Sequence, residues 1–128
     1  MTDTATKRPE ILIVDDILIN RILLTDILSE LECRSAEAKN GEEAISMAKD
    51  RPFDMILMDI EMPIMNGVES TAAIRAHEGP NTRTPIIALT AHTEDEITED
   101  LSSAGFTDMI GKPFLLGKIK HLIDTYCR

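Results

Sequence analysis

Hydrophobic residues fall along this chain in two alternating patterns. Short unbroken apolar runs are followed by longer segments in which apolar residues return every three or four positions. Ile11-Leu12-Ile13-Val14 is the first run, and Leu18 to Leu31 is the first periodic segment, with Leu24, Ile27, Leu28 and Leu31 at helical spacing. Arg34 to Ala38 has the length and place of a weaker second strand. Asn40-Gly41 then opens a helix, with Glu42 and Glu43 in its first turn, where carboxylates suit the helix dipole, and Pro52 lies just past its end. Met55 to Met58 is the third run. Asn66-Gly67 turns the chain into a helix reaching about His77, and Pro85 to Leu89 is the fourth run. Thr93-Glu94-Asp95-Glu96 has the spacing of a capping box, so a helix is expected from there to Ala104-Gly105. Thr107 to Ile110 makes a short fifth strand, and the last helix carries Leu115, Ile119, Leu122, Ile123 and Tyr126 on one face.

Strand and helix thus alternate five times, which is the pattern of an α/β fold. Strands buried on both sides by helices read as continuous apolar runs instead of alternating ones. Right-handed crossovers then give a doubly wound, five-stranded parallel sheet with five helices. In such sheets the ligand sits beyond the carboxyl ends of the strands. What stands there in this sequence is Asp15-Asp16 after the first strand, Asp59 after the third, Thr90 after the fourth and Gly111-Lys112-Pro113 after the fifth.

Each of these residues has an ordinary explanation when taken alone. Asp15 or Asp16 is well placed to cap the first helix, Thr90 to bond local backbone, and Lys112 to sit in solvent. Asp59 fits such a role less well, because the next helix begins too far on. Chance would have to bring all of them to one edge of the sheet. Three close carboxylates repel one another unless a cation joins them, and an all-oxygen site suits Mg²⁺. With a lysine to balance charge and a hydroxyl to bond an added oxyanion, the set is suited to phosphoryl transfer.

Length and charge narrow the picture further. The chain has 128 residues, one domain's worth, and its net charge of −10 repels nucleic-acid phosphates, so direct DNA or RNA binding is not expected. No apolar run reaches the length of a membrane span, no secretory signal is seen, and Cys33 and Cys127 stand far apart in no metal-ligand spacing. A cytoplasmic protein that touches no membrane is expected, with residues 1–9 as a flexible tail before a single domain over 10–128.

Four stretches, "ILIVDD", "MILMDIEMPIMNG", "IIALTA" and "GKPF", occur in the order and at the spacings of a known family. From Glu10 to Tyr126 the chain resembles the receiver domain of two-component response regulators. The resemblance implies a flavodoxin-like sheet of strand order 2-1-3-4-5. It also implies that Asp59 is the phosphoacceptor, taking a phosphoryl group from a histidine kinase or a histidine phosphotransfer protein. Asp16 and Asp59 would hold Mg²⁺ directly with the backbone carbonyl of Glu61, and Asp15 through water. Lys112 would pair with Asp59, Thr90 would bond the phosphoryl group beside the small Ala91, and the Lys112–Pro113 bond would be cis. Glu61 and His92 would flank the attacking water and tune dephosphorylation. The kinase would meet the first helix, and a downstream protein target the face from Thr93 to Tyr126.

Two positions depart from the family pattern. Met109 stands where an aromatic switch residue is common, so switching would rest more on the helix from Thr93 to Ala104. Ile17 follows the acidic pair where a polar residue is frequent. Two readings compete with the phosphoacceptor. One is a phosphatase of the haloacid-dehalogenase type, which usually has its nucleophile on the first strand and a longer chain. The other is a receiver-fold interaction module that is never phosphorylated, against which the complete set Asp15, Asp16, Asp59, Thr90 and Lys112 weighs. A signalling domain that assists only its own phosphoryl transfer and autodephosphorylation is expected, not an enzyme with turnover. Its length leaves no room for an output domain. It is thus a stand-alone receiver or a piece of a hybrid kinase or regulator, with Met1 and its polar tail slightly favouring the first.

Overall fold

The computed structural model describes residues 8–91 and 101–127. Five parallel strands, β1 (Glu10–Val14), β2 (Arg34–Ala38), β3 (Met55–Asp59), β4 (Ile86–Thr90) and β5 (Asp108–Gly111), form one sheet in the order β2-β1-β3-β4-β5. The helices are α1 (Leu18–Glu30), α2 (Gly41–Asp50), α3 (Gly67–Ala76), a helical stretch over 101–104 (α4) and α5 (Leu116–Tyr126). The expected capping box at Thr93–Glu96 and His92 lie outside the described residues.

Successive strand residues point to opposite faces, and both faces are dry. Ile11, Ile13, Met55, Leu57, Ile87 and Leu89 pack under α1 and α5, against Leu24, Leu28, Ile119, Leu122 and Ile123. Leu12, Val14, Ile56, Met58, Ile86 and Ala88 pack on the other side, against Ala44, Ala48, Ile74, Leu101 and Phe106. That is why the runs carry no polar alternation. Leu115 does not join this core as its spacing suggested. It precedes the helix as its N-cap and is 52% exposed.

Local chemistry sets the helix ends. Asn66 and Glu69 form a reciprocal capping box at the start of α3, and Asn40 accepts the Glu43 amide at the start of α2. At the end of α1 Glu32 adopts φ 60°, Cys33 N donates to Leu28 O and Glu32 N to Ser29 O. At the end of α4 Gly105 has φ 108° with the same pair of bonds, Phe106 N to Leu101 O and Gly105 N to Ser102 O. Both ends are Schellman closures, one with the glycine this conformation favours and one without. α1 starts differently: its N-cap is Ile17, with no side-chain cap, so neither Asp15 nor Asp16 fills that role.

Strand ends differ from the sequence expectation by one residue in places that matter. Asp59 and Thr90 are the last residues of their strands, not the first residues beyond them, and therefore take part in the sheet register. β5 begins at Asp108 because Thr107 is used to bind β4: its amide donates to Ile86 O, and its Oγ1 accepts from Ile86 N. At the other end of the chain, Pro9 O accepts the Arg34 amide, so the sheet ladder reaches back to the last residue of the expected tail.

Two polar hubs, Asn81 buried and Arg75 partly buried, tie the far end of the sheet together. Asn81 donates to Ala48 O and Arg51 O and accepts from Phe53 N and Thr84 Oγ1. Arg75 on α3 donates to Gly105 O, Thr82 O and Thr107 Oγ1, and burial lowers its pKa. Arg75 anchors α3 to the segments entering β4 and β5, whose other ends carry Thr90 and Gly111, and Asn81 ties the end of α2 and the segment entering β3 to the segment entering β4.

Candidate functional site

β1 and β3 are neighbours, so their ends bring Asp15-Asp16 and Asp59 together. One oxygen from each of Asp15, Asp16 and Asp59 lies within 4.8 Å of the others. Asp15 is 0% and Asp59 2% exposed, while Asp16 is open to solvent. Thr90 is buried at the end of β4 beside Asp59, and its carbonyl accepts the Lys112 amide at 2.9 Å. Lys112 follows β5 and is exposed, and its peptide bond to Pro113 is cis. The sheet order therefore converges five of the expected residues on one edge, as drawn from the chain.

Asp59 carries the strain of this arrangement. Its pKa is pushed up to about 6, first by burial and next by the Asp15 charge, with Asp16 adding a smaller push. The Glu61 amide, which donates to Asp59 Oδ1 at 3.2 Å, and the charge of Lys112 act the other way without offsetting it. No Lys112–Asp59 contact of ion-pair length occurs among the described residues, and the Lys112 Nζ lies 5.7 Å from the Phe114 ring centroid. The lysine acts on Asp59 through its field, at longer range than a closed ion pair.

The loop after Asp59 is bent back against it. Gly67 N donates to Ile60 O, and a Cβ on Gly67 would lie 2.3 Å from the Asp59 carbonyl oxygen, so only glycine fits there. Between them Met65 N donates to Pro63 O across Ile64, which has φ 70° and is 93% exposed. A β-branched residue in that conformation is strained, and its side chain stands out into solvent in the loop that follows Asp59. Ile17, Leu18, Ile19, Ile22 and Leu23 at the start of α1, and Leu115 and Leu116 at the start of α5, are also exposed, so the segments that follow β1, β3 and β5 all present apolar side chains to solvent.

The remaining expected residues fall at the periphery. Glu61 and Ala91 are exposed, and Met109 on β5 is partly buried, packed against the core face that holds Ala88 and Phe106. Sequence reasoning did not single out Asn20, whose Nδ2 donates to Asp15 Oδ2 at 3.1 Å, or the spacing demand on Gly67. An asparagine one turn into a helix that follows an acidic pair was the available signal.

The acidic cluster fits a small divalent cation. Its three carboxylate oxygens lie within 4.8 Å of one another and make an all-oxygen set of the kind Mg²⁺ takes, and the Asp59 pKa, raised first by burial and next by the Asp15 charge, would fall when a cation joined them. No described helix is long and apolar enough to cross a membrane.

Comparison with known proteins places this geometry. The family model described as the response regulator receiver domain matches residues 11–124. Hybrid signal transduction histidine kinase G of Dictyostelium discoideum is 38% identical over 125 residues, covering 96% of this chain and 4% of that protein. The BarA histidine-protein kinase of Shigella flexneri is 35% identical over 127 residues, 98% of this chain and 14% of the kinase. The chain thus spans a small part of the curated kinases it matches. Among solved structures, the receiver domain of a sensor histidine kinase from Pseudomonas aeruginosa, with a magnesium ion coordinated in its active-site cleft, is 32% identical. It superposes with a TM-score of 0.85 over 94% of this chain and 98% of its own. Chemotaxis protein CheY4 of Vibrio cholerae is 28% identical, with a TM-score of 0.87 over 94% and 99%.

Proposed function

The chain belongs to the response regulator receiver domain family, and from that premise we propose that Asp59 accepts a phosphoryl group from a phosphohistidine. The donor would be a histidine kinase or a histidine phosphotransfer protein. An Asp59 carboxylate oxygen attacks phosphorus, the P–N bond breaks with its electron pair left on the imidazole, and an acyl phosphate results. The observation that carries this reading is a nearly buried carboxylate at a strand end, with two acids within 4.8 Å, the charge of Lys112 acting on it from longer range, and a pKa of about 6. Such a group is mostly ionised at neutral pH and gains from any positive charge that arrives with the phosphoryl donor.

Each side chain then has a stated task. Asp16 and Asp59, with the Glu61 carbonyl, would hold Mg²⁺, and Asp15 would hold it through water. When bound, Mg²⁺ neutralises charge on the carboxylates and on the transferring phosphoryl oxygens. Lys112 moves from its long-range position onto a phosphoryl oxygen, and the Thr90 hydroxyl donates to another, with Ala91 leaving space. Glu61 and His92 would tune the rate at which water removes the phosphoryl group. With Met109 at the switch position, repacking of a flexible thioether replaces the swing of a ring, and the change is passed to the surface where a downstream protein docks.

Exposed apolar side chains give the donor its seat. Leu18, Ile19, Ile22 and Leu23 on α1, with Ile64 in the loop after β3 and Leu116 at the start of α5, are exposed and suit the apolar helical surface of a protein presenting a histidine. We read residues 10–128 as one receiver unit. We read the setting as cytoplasmic, since the sequence offers no disulfide framework. The test is intact mass after incubation with acetyl phosphate and Mg²⁺, run beside Asp59→Asn. One phosphoryl adduct, absent from the variant and without Mg²⁺, is expected. No adduct, under conditions that label another receiver, would leave an interaction module independent of phosphorylation.

A further inference from the structure

The Asp15 amide donates to Ala38 O on β2, but its carboxylate is held from the start of α1. Its Oδ1 accepts the Ile17 amide at 2.9 Å and its Oδ2 accepts Asn20 Nδ2 at 3.1 Å. Its carbonyl accepts Arg21 Nη1 at 2.8 Å, and Arg21 Nε is paired with Glu37 on β2 at 2.9 Å. The Ile17 bond is the local turn that aspartates commonly make two residues on. The Asn20 bond is of another kind, since it needs this residue type at this place on the helix. Asparagine is a poor choice for a helix position on propensity alone, and alanine would serve the helix better.

With one donor on each oxygen, the plane of the Asp15 carboxylate is fixed from both sides. Each oxygen still keeps acceptor capacity toward the cleft, where the Asp16 and Asp59 oxygens lie. Remove the Asn20 donor and Oδ2 is free to turn, so the carboxylate must be ordered again whenever a cation binds. We propose that Asn20 is a positioning residue of the cation site, acting through Asp15, with the Arg21–Glu37 pair steadying the same turn from behind. The inference rests on the phosphoacceptor reading only for the presence of a divalent cation.

Groups that orient a metal-holding side chain typically change metal affinity by about 10- to 100-fold when removed. The test is calorimetric titration of Mg²⁺ alone, with no phosphoryl donor, into the full chain and into Asn20→Ala and Asn20→Leu, with melting in EDTA recorded for each. Both variants are expected to melt near the parent in EDTA and to bind Mg²⁺ about 10- to 100-fold more weakly. The leucine variant restores bulk but not the donor, so parent-like binding by Asn20→Leu would overturn the proposal, as would affinities within twofold in both variants. If the parent itself binds no Mg²⁺ at millimolar concentration, the cation reading fails and takes this inference with it. If the parent binds and the variants match it, the inference on Asn20 alone fails.

Discussion

Replacing Asp59 by asparagine should make the cation-free protein more stable, and only above a defined pH. Folding lifts the Asp59 pKa from 3.8 to about 6. The folded state therefore binds this proton more tightly than the unfolded chain does. The resulting destabilisation is absent below about pH 3.8, grows as pH rises, and is complete above about pH 6. A shift of roughly two units corresponds to about 3 kcal/mol at 1.36 kcal/mol per unit, and about 1 to 3 kcal/mol is the working range once water reaching the open cleft is allowed for. Asparagine has the same shape, carries no charge and keeps an oxygen for the Glu61 amide. At about 3 to 5 °C per kcal/mol for a domain of this size, Asp59→Asn should melt about 3 to 15 °C higher than the parent at pH 7.5 in EDTA. Near pH 4 the gap should close to a degree or two. Millimolar Mg²⁺ should raise the melting temperature of the parent and leave the variant nearly unchanged, since the gain scales with RT ln(1 + [L]/Kd). Thermal melts at four pH values, with EDTA or Mg²⁺, decide it. An equal gain at pH 4 and 7.5 would show that shape, not charge, is responsible, and no gain at pH 7.5 would refute the electrostatic account of Asp59.

Two other expectations come from backbone geometry. Gly67→Ala puts a methyl group against the Asp59 carbonyl, so it should cost about 2 kcal/mol or more of stability and slow acetyl phosphate labelling at least tenfold, measured by urea unfolding and intact mass; labelling at the parent rate would show that the loop yields without moving Asp59. Glu32→Gly relieves a positive φ at the end of α1 and should stabilise the fold by about 0.5 to 1 kcal/mol in urea, with no change in Mg²⁺ binding.

The five strands, the helices α1, α2, α3 and α5, the end of α4 and the strand ends that carry Asp15, Asp59, Thr90 and Lys112 could be drawn from the chain to within a residue or two. Apolar runs, helical spacing and turn residues such as Asn40-Gly41 and Asn66-Gly67 are local signals, and each acts within a few positions. Errors appeared where a local signal competed with a distant partner. Leu115 has the spacing of the α5 core face, yet it lies before the helix and half in solvent. Thr107 reads as strand, yet its hydroxyl and amide are spent on Ile86.

What the sequence determined by itself was the alternation of elements, the burial of both sheet faces and the kinds of residue set at the strand ends. The tertiary structure alone decided how those residues act on one another. Strand order places Asp59 beside Asp15, so burial and repulsion raise its pKa to about 6, while Lys112 stays at longer range. It also decided that Asn20 reaches Asp15, that Gly67 has no room for a side chain, and that Arg75 and Asn81 bind loops far apart in the chain. Such contacts depend on the register of parallel strands and on the seating of each helix. Those are set by packing across the whole core and leave no periodic trace along the chain.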